Sequence, residues 1–276
     1  MKKPFMRILR RFSAEFAGLV LSLLIVIPLL IVVFGSFKNS EGAMRFTIVP
    51  PEIWHFSNYT HVYVEGGIDK ALKNSTIITV ASVIVTIFAS VLCAFYLARK
   101  ADRLTKWLRS LFLLGLIIPM SVIPTVKLLQ TFHLSGSFLG IIALYAAINL
   151  SFSTFLYDGF IGSIPRELDE AAIIDGCGPY ALFFRIVLPL LLPATTTNIV
   201  ITATSVWNDF YLPLYFFNSS AKFTLPLSVY NFFGLYSRDW NYVFADLIIT
   251  ALPVTFLYLF MQRYIISGMT TGSVKG

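Results

Sequence analysis

The sequence predicts an all-α integral membrane protein: six transmembrane helices, with a loop of short helices between the fourth and the fifth. Three observations carry this. Apolar residues make up 57% of the chain and charged residues only 13%, against roughly 25% charged in an ordinary soluble domain. Six largely uncharged stretches can each cross a hydrocarbon core. The connecting segments then divide the 21 Lys and Arg unevenly, fourteen on one side and seven on the other, which sets the richer side and both termini in the cytoplasm.

The elements follow in order. Residues 1–15 form a basic cytoplasmic segment holding Lys2, Lys3, Arg7, Arg10 and Arg11. Phe16 to Phe37 has no charge, exceeds a signal-peptide core and lacks a small-x-small cleavage pattern, so it is a retained first span. Pro28 within it is tolerated in a bundle. Lys38 to Lys73 is polar and lies outside. His55 and His61 with Glu52 and Glu65 could be imagined as a metal site, but no third ligand has suitable spacing and a solvated loop is favoured. Asn74 to Ala98 is the second span. Arg99 to Arg109 carries five more basic residues, inside. Leu111 to about Val126 is the third span, interrupted by Pro119 and Pro124, with Lys127 snorkelling at its outer end. Phe138 to Phe160 is the fourth, with Asn149 near mid-depth and Asp158 at the inner end. Thr195 to Phe217 is the fifth, Tyr242 to Ile265 the sixth. A transmembrane domain of residues 16–265 and a glycine-rich cytoplasmic tail of 266–276 result.

The net charge of +7 sits beside spans, where it meets anionic lipid and not nucleic acid. Cys93 and Cys177 are packing residues, with no disulfide framework.

The loop at 161–193 is the informative part. Glu167, Asp169, Glu170 and Asp175 cluster in it. Pro165 and Glu167 suit a first helical turn, and Gly176-Cys177-Gly178-Pro179 ends that helix. A second apolar helix, Tyr180 to Leu188, is expected to stop at Pro189 and Pro193. Ala171 and Ala172 allow another surface to approach the backbone. Glu170 and Asp175 can meet cationic or donor groups, and Ile173, Ile174, Phe183 and Phe184 supply apolar anchors. An amphipathic helix on lipid is the alternative, but an acidic one is repelled by anionic headgroups.

Glu170-Ala171-Ala172, Gly176, Ile186, Leu188 and Pro189 stand at every fixed position of a pattern that resembles the EAA loop of ABC-importer permeases. The hydropathy profile and the ending RYIISGMTTGSVKG resemble the carbohydrate branch, kin of the maltose-type second permease. The resemblance implies that the loop is a coupling helix docking on a separate ATPase. It also implies two ATPase subunits that bind ATP and Mg, a second homologous permease, and an extracytoplasmic solute-binding protein. No cofactor is expected on this chain.

Enzyme motifs are missing. There is no G-x-x-x-x-G-K-[ST], no H-E-x-x-H and no G-x-S-x-G, and the loop acids lack a pocket that would tune them. The fifth span offers a substrate path. Asp209 must face an interior, a cavity or a partner. Trp207 and Tyr211, four apart on one helix face, with Asn208 beside them, suit a sugar's apolar faces and hydroxyl edges. Equally, the aromatics mark the interface belt and Asp209 pairs with a neighbouring helix. Asn149 is a weaker path candidate. Between residues 218 and 241, Tyr230, Phe232, Phe233, Tyr236 and Trp240 make an exposed aromatic patch. The resemblance assigns this loop to the binding protein, and packing on the bundle mouth is the alternative. The expected function is a permease subunit of an ATP-driven, binding-protein-dependent importer of sugars in a bacterial or archaeal plasma membrane. An importer of another solute, or a secondary transporter, is the competing reading.

Overall fold

The computed structural model describes residues 2–232 and 239–271. The described residues are helical and contain no strand. Among the described residues, four helices are long and apolar enough to cross a membrane, five if a bent pair is counted as one.

The first, α1 (Lys2–Ser36), already begins in the basic segment. Two short helices follow, α2 (Ser40–Met44) and α3 (Ser57–Glu65), in the stretch read as an outer loop. Then come α4 (Ile68–Arg99) and α5 (Arg103–Ile117). Asp102 caps α5, its carboxylate accepting from the Thr105 backbone N–H at 2.8 Å and hydroxyl at 2.7 Å. Those bonds hold the Asp102 carboxyl below its ordinary pKa.

The expected third span breaks in two. Ile118 is extended, as the residue before Pro119 is forced to be. The chain becomes helical again in α6 (Val122–Thr131), where Pro124 falls in the first turn and its missing N–H costs nothing. So Pro124 opens a helix instead of interrupting one. The fourth span is α7 (Phe138–Ser163), and the loop holds α8 (Glu167–Ile174).

The expected stop at Pro189 is also corrected. The second loop helix, α9 (Pro179–Leu190), runs through it and bends by 71° into α10 (Leu192–Asn208). Residues Leu182–Val187 widen into a π turn. In this turn the Leu188 N–H donates to the Phe183 carbonyl, five residues back, so the spacing is already widened just ahead of Pro189, which has no N–H to give. Pro193 lies in the first turn of α10. The fifth span ends sooner than predicted, at Asn208, and a separate α11 (Tyr211–Phe216) follows. Last is α12 (Trp240–Thr271).

The chain forms two compact units, Met1–Asp69 with Ser228–Leu252 and Lys70–Leu227 with Pro253–Gly276. In the first, Asn58 donates to the carbonyls of Ser36 and Lys38, both at 2.8 Å. Phe37 sits among the rings of Trp54, Phe56 and Tyr59. Buried Lys38 donates to the Thr47 carbonyl and hydroxyl, and burial lowers its ammonium pKa.

The second unit has two apolar clusters. One gathers Val91, Tyr157, Ile161, Ala172, Leu182, Phe183 and Val187 beside the loop. The other joins Ile78, Leu129, Leu144, Val206, Leu212 and Phe216 at the opposite ends of the same helices. Between them the helices bury polar side chains: Ser82 and Thr86 of α4, Ser153 and Thr154 of α7, Asn198 and Thr202 of α10. Asn198 Oδ1 accepts from the Ser153 and Thr202 hydroxyls.

Candidate functional site

The loop is built by its own sequence. Arg166 precedes the first turn of α8, where Glu167, Asp169 and Glu170 complement the helix dipole. The helix ends in a complete Schellman motif. Cys177 N–H donates to Ala172 O at 2.9 Å and Gly176 N–H to Ile173 O at 3.0 Å. Gly176 has φ +83°, which a side chain would strain.

The faces of α8 divide sharply. Ala172 is packed into the loop-end cluster, and Asp169 is buried beside it. Arg99, the last residue of α4, reaches Asp169. Its Nη2 donates to Oδ1 at 3.2 Å, and Nε lies 2.6 Å from Oδ2 without its N–H aligned on that oxygen. The two side chains are 14% and 13% exposed, so the pair is nearly dry. Arg166 donates to Ala98 O, and Arg109 to Leu97 O and to Asp158 Oδ1. The loop is thus tied to the end of α4. The sequence reading missed this clamp; its signal is that Asp169 stands three residues before Ala172, on the same face.

On the opposite face Glu170, Ala171 and Asp175 are exposed. So are Ile173 (60%), Ile174 (85%), Tyr180 (82%) and Phe184 (50%), apolar area left uncovered among the described residues. Two expectations are corrected here. Phe183 is buried against Phe95 and is not an outward anchor. Ala172 faces the core, leaving Ala171 as the small residue open to another surface. Ile186 and Leu188 pack against the loop-end cluster, while Pro189 is exposed.

The substrate-path candidates are not brought together. Asp209 lies at the break between α10 and α11, not within a continuous helix. Its carboxylate accepts from the Tyr211 N–H at 2.8 Å, the Leu212 N–H at 3.4 Å and the Tyr145 hydroxyl at 3.0 Å. It is a helix cap and an interhelical tie at once. The break also ends the expected face shared by Trp207 and Tyr211. Trp207 lines a cavity of about 360 Å³ with Thr79, Val83, Ala203 and Pro253, and its indole N–H is buried without a partner. Tyr211 lines a different cavity. Asn208 is exposed at the end of α10, and Asn149 donates to Tyr145 O of its own helix.

In the other unit, Tyr230 is 44% exposed, but Phe232 is 7% exposed and packs against Tyr242 and His61, correcting its place in an exposed patch. His61 itself stacks on Tyr242 at 4.2 Å. Phe233 and Tyr236 lie outside the described residues. Asp246 of α12, unnoticed in the sequence, is fully buried and accepts from the Ser228 hydroxyl. Its signal is an acid in the middle of an apolar run. Among the described residues no three His, Cys, Asp or Glu gather as a metal site.

Residues 86–271 match the family of binding-protein-dependent transport system inner membrane components. The chain is 34% identical over 269 residues to the probable starch degradation products transport system permease protein AmyC of Thermoanaerobacterium thermosulfurigenes, covering 96% of this chain and 97% of that protein. It is 33% identical over 253 residues to the melibiose/raffinose/stachyose import permease protein MelC of Bacillus subtilis, covering 91% of each. Its fold resembles that of a chain from a bacterial ABC transporter involved in the import of the acidic polysaccharide alginate. The TM-score there is 0.82 at 21% identity, over 94% of this chain and 96% of that one.

Proposed function

The chain belongs to the binding-protein-dependent transport system inner membrane components, multi-pass transport permeases and not enzymes, and on that premise we propose that it imports sugars or oligosaccharides with energy from a separate ATPase. The substrates in the names of AmyC and MelC support the sugar class. The broken α5–α6 segment and the bent α9–α10 segment count as the third and fifth of six crossings, which puts both termini and the α8 loop in the cytoplasm. Two ATPase subunits, carrying ATP and Mg, a second homologous permease and an extracytoplasmic binding protein complete the assembly. Tyr230, with Phe233 and Tyr236, is the candidate contact for the binding protein.

One observation carries the coupling role: α8 is clamped to α4 by Arg99 and Asp169 on one face while exposing Glu170, Ala171, Ile173 and Ile174 on the other. A helix fixed on one side and apolar on the other receives a push and passes it on. ATP-driven closure of the ATPase pair moves α8, and the clamp carries that motion into α4 and the bundle. The test is Glu170→Lys. The variant is expected to insert in the membrane normally and to lose ATPase subunits on co-purification. Undiminished ATPase recovery counts against the docking role.

A further inference from the structure

Two helix interruptions meet in the second unit. After the break at Ile118–Ser121, α6 begins, and after Asp209, α11 begins. These two short helices pack on each other through Leu129, Leu212 and Phe216. Beside them opens a cavity of about 690 Å³, lined among others by Met120, Ser121, Lys127, Gln130, Tyr211 and Tyr215. Irregular backbone at membrane depth is tolerated where it lines a water-filled cavity or is buried in protein. Here it borders open volume of the size that holds a small ligand.

The lining is mixed in a particular way. Tyr211 and Tyr215, four apart on α11, place their rings 4.8 Å apart edge to face, each about half exposed. Lys127 and Gln130, three apart on α6, share one helix face and are exposed. Lys127 makes no ion pair among the described residues, and it is the sole Lys or Arg between Arg109 and Arg166. Ser121 caps α6 by position, yet its side chain makes no capping bond. The cavity therefore offers an aromatic wall and several uncommitted polar groups. A lipid chain would use the wall and leave the donors idle.

We propose that the cavity between α6 and α11 is a sugar subsite, in which a pyranose ring lies against Tyr211 and Tyr215 and its hydroxyls bond to Gln130, Lys127 and Ser121. This rests on the chain being a sugar permease, and it displaces Trp207 and Asn149 from the contact set. The Lys127 ammonium donates to a ring hydroxyl oxygen, and Tyr215 sets which ring is accepted.

The test uses the whole assembly, with its binding protein and ATPases, in proteoliposomes supplied with labelled raffinose, with a panel of other labelled mono- and oligosaccharides, the one imported best standing in for raffinose below, or with labelled non-sugar solutes. Tyr215→Ala and Gln130→Ala are expected to cut raffinose uptake about tenfold each, as loss of one stacking or hydrogen-bonding contact implies. Both variants should still insert in the membrane and recover the ATPase subunits on co-purification as wild type does, since both side chains are exposed. Tyr215→Phe should restore uptake. In a second measurement, the thiol introduced by Tyr215→Cys should react with a water-soluble maleimide and be protected by raffinose, with the wild-type chain as the blank. Wild-type uptake of raffinose with unchanged uptake in Tyr215→Ala overturns the subsite alone. So does a Tyr215→Cys assembly whose new thiol is unreactive. Wild-type import of a non-sugar solute and of no sugar overturns both readings.

Discussion

The two ends of the unit holding Lys70–Leu227 both interrupt a helix, and they do so by opposite means. At the loop end, α8 is closed by a Schellman motif on Gly176, clamped by Arg99 and Asp169, and backed by an apolar cluster. What it leaves open is an exposed apolar rim with Ile174 at 85% exposure. At the other end, α5 and α10 stop at extended residues, one ahead of a proline and the other at Asp209. What remains open there is a concavity with polar donors. On the proposed reading, the closed loop with its apolar rim meets a macromolecular partner, and the open break with its hollow meets a small molecule. The same chain thus makes two kinds of surface from one device, the interrupted helix.

The clamp gives the largest effect by which this contrast can be broken. Arg99→Ala leaves Asp169 nearly buried without its cation, which costs about 3–5 kcal/mol. A clear fall in the melting temperature of the purified chain and loss of ATP-coupled uptake are expected, and Asp169→Asn added to that variant should recover much of the stability. A single variant that melts like wild type means the loop is held by something else.

At the far end Asp209→Ala removes the acceptor of Tyr145 and of two backbone N–H groups, for about 1–3 kcal/mol. Asp209→Asn should keep part of that, because its single amide oxygen still accepts on one side while the NH2 replaces the other acceptor. Equal melting of the two variants would show that the α10–α11 break needs no cap. Gly176→Ala sharpens the loop side. Its left-handed backbone costs a side chain about 1–2 kcal/mol. ATPase recovery on co-purification should drop while the far-end cavity still labels with maleimide through Tyr215→Cys.

Smallest is the exposed cap of α5. The Asp102 carboxyl is held below its ordinary value of 3.8 by bonds to Thr105. A depressed carboxyl contributes stability above its unfolded pKa and loses it as pH falls through the folded one. Wild-type and Asp102→Ala chains should therefore differ slightly in melting temperature at neutral pH and converge below about pH 4.

Much of the fold was legible because membrane spans are written in composition. Residues Phe138 to Phe160 and Asn74 to Ala98 lie inside helices of nearly those bounds. The end of α8 was legible too, since Gly176 and Pro179 act locally. The prolines were harder. Pro119 and Pro124 look alike in a sequence, but one forces the residue before it out of the helix and the other occupies a first turn. Pro189 does not stop its helix, because a π turn, which no periodicity announces, precedes it and carries the chain to Leu190. Asp209 was misplaced for a related reason: its partners Tyr145 and the Tyr211 N–H are set by a helix break that apolar runs conceal. Arg99 and Asp169 lie 70 positions apart, and only packing of α4 beside α8 brings them together.

Ala171 and Ala172 are neighbours of identical type, yet the structure turns them to opposite sides, one outward and one into the loop-end cluster at 5% exposure. Enlarging them therefore injures different things. A leucine at position 172 has to be accommodated by this chain's own helices, so no change elsewhere in the assembly can compensate for it. Under the proposed docking, a leucine at position 171 leaves the fold alone and is relieved from outside, by a smaller side chain on the partner surface. Second-site suppressors sought for the two would map to different genes.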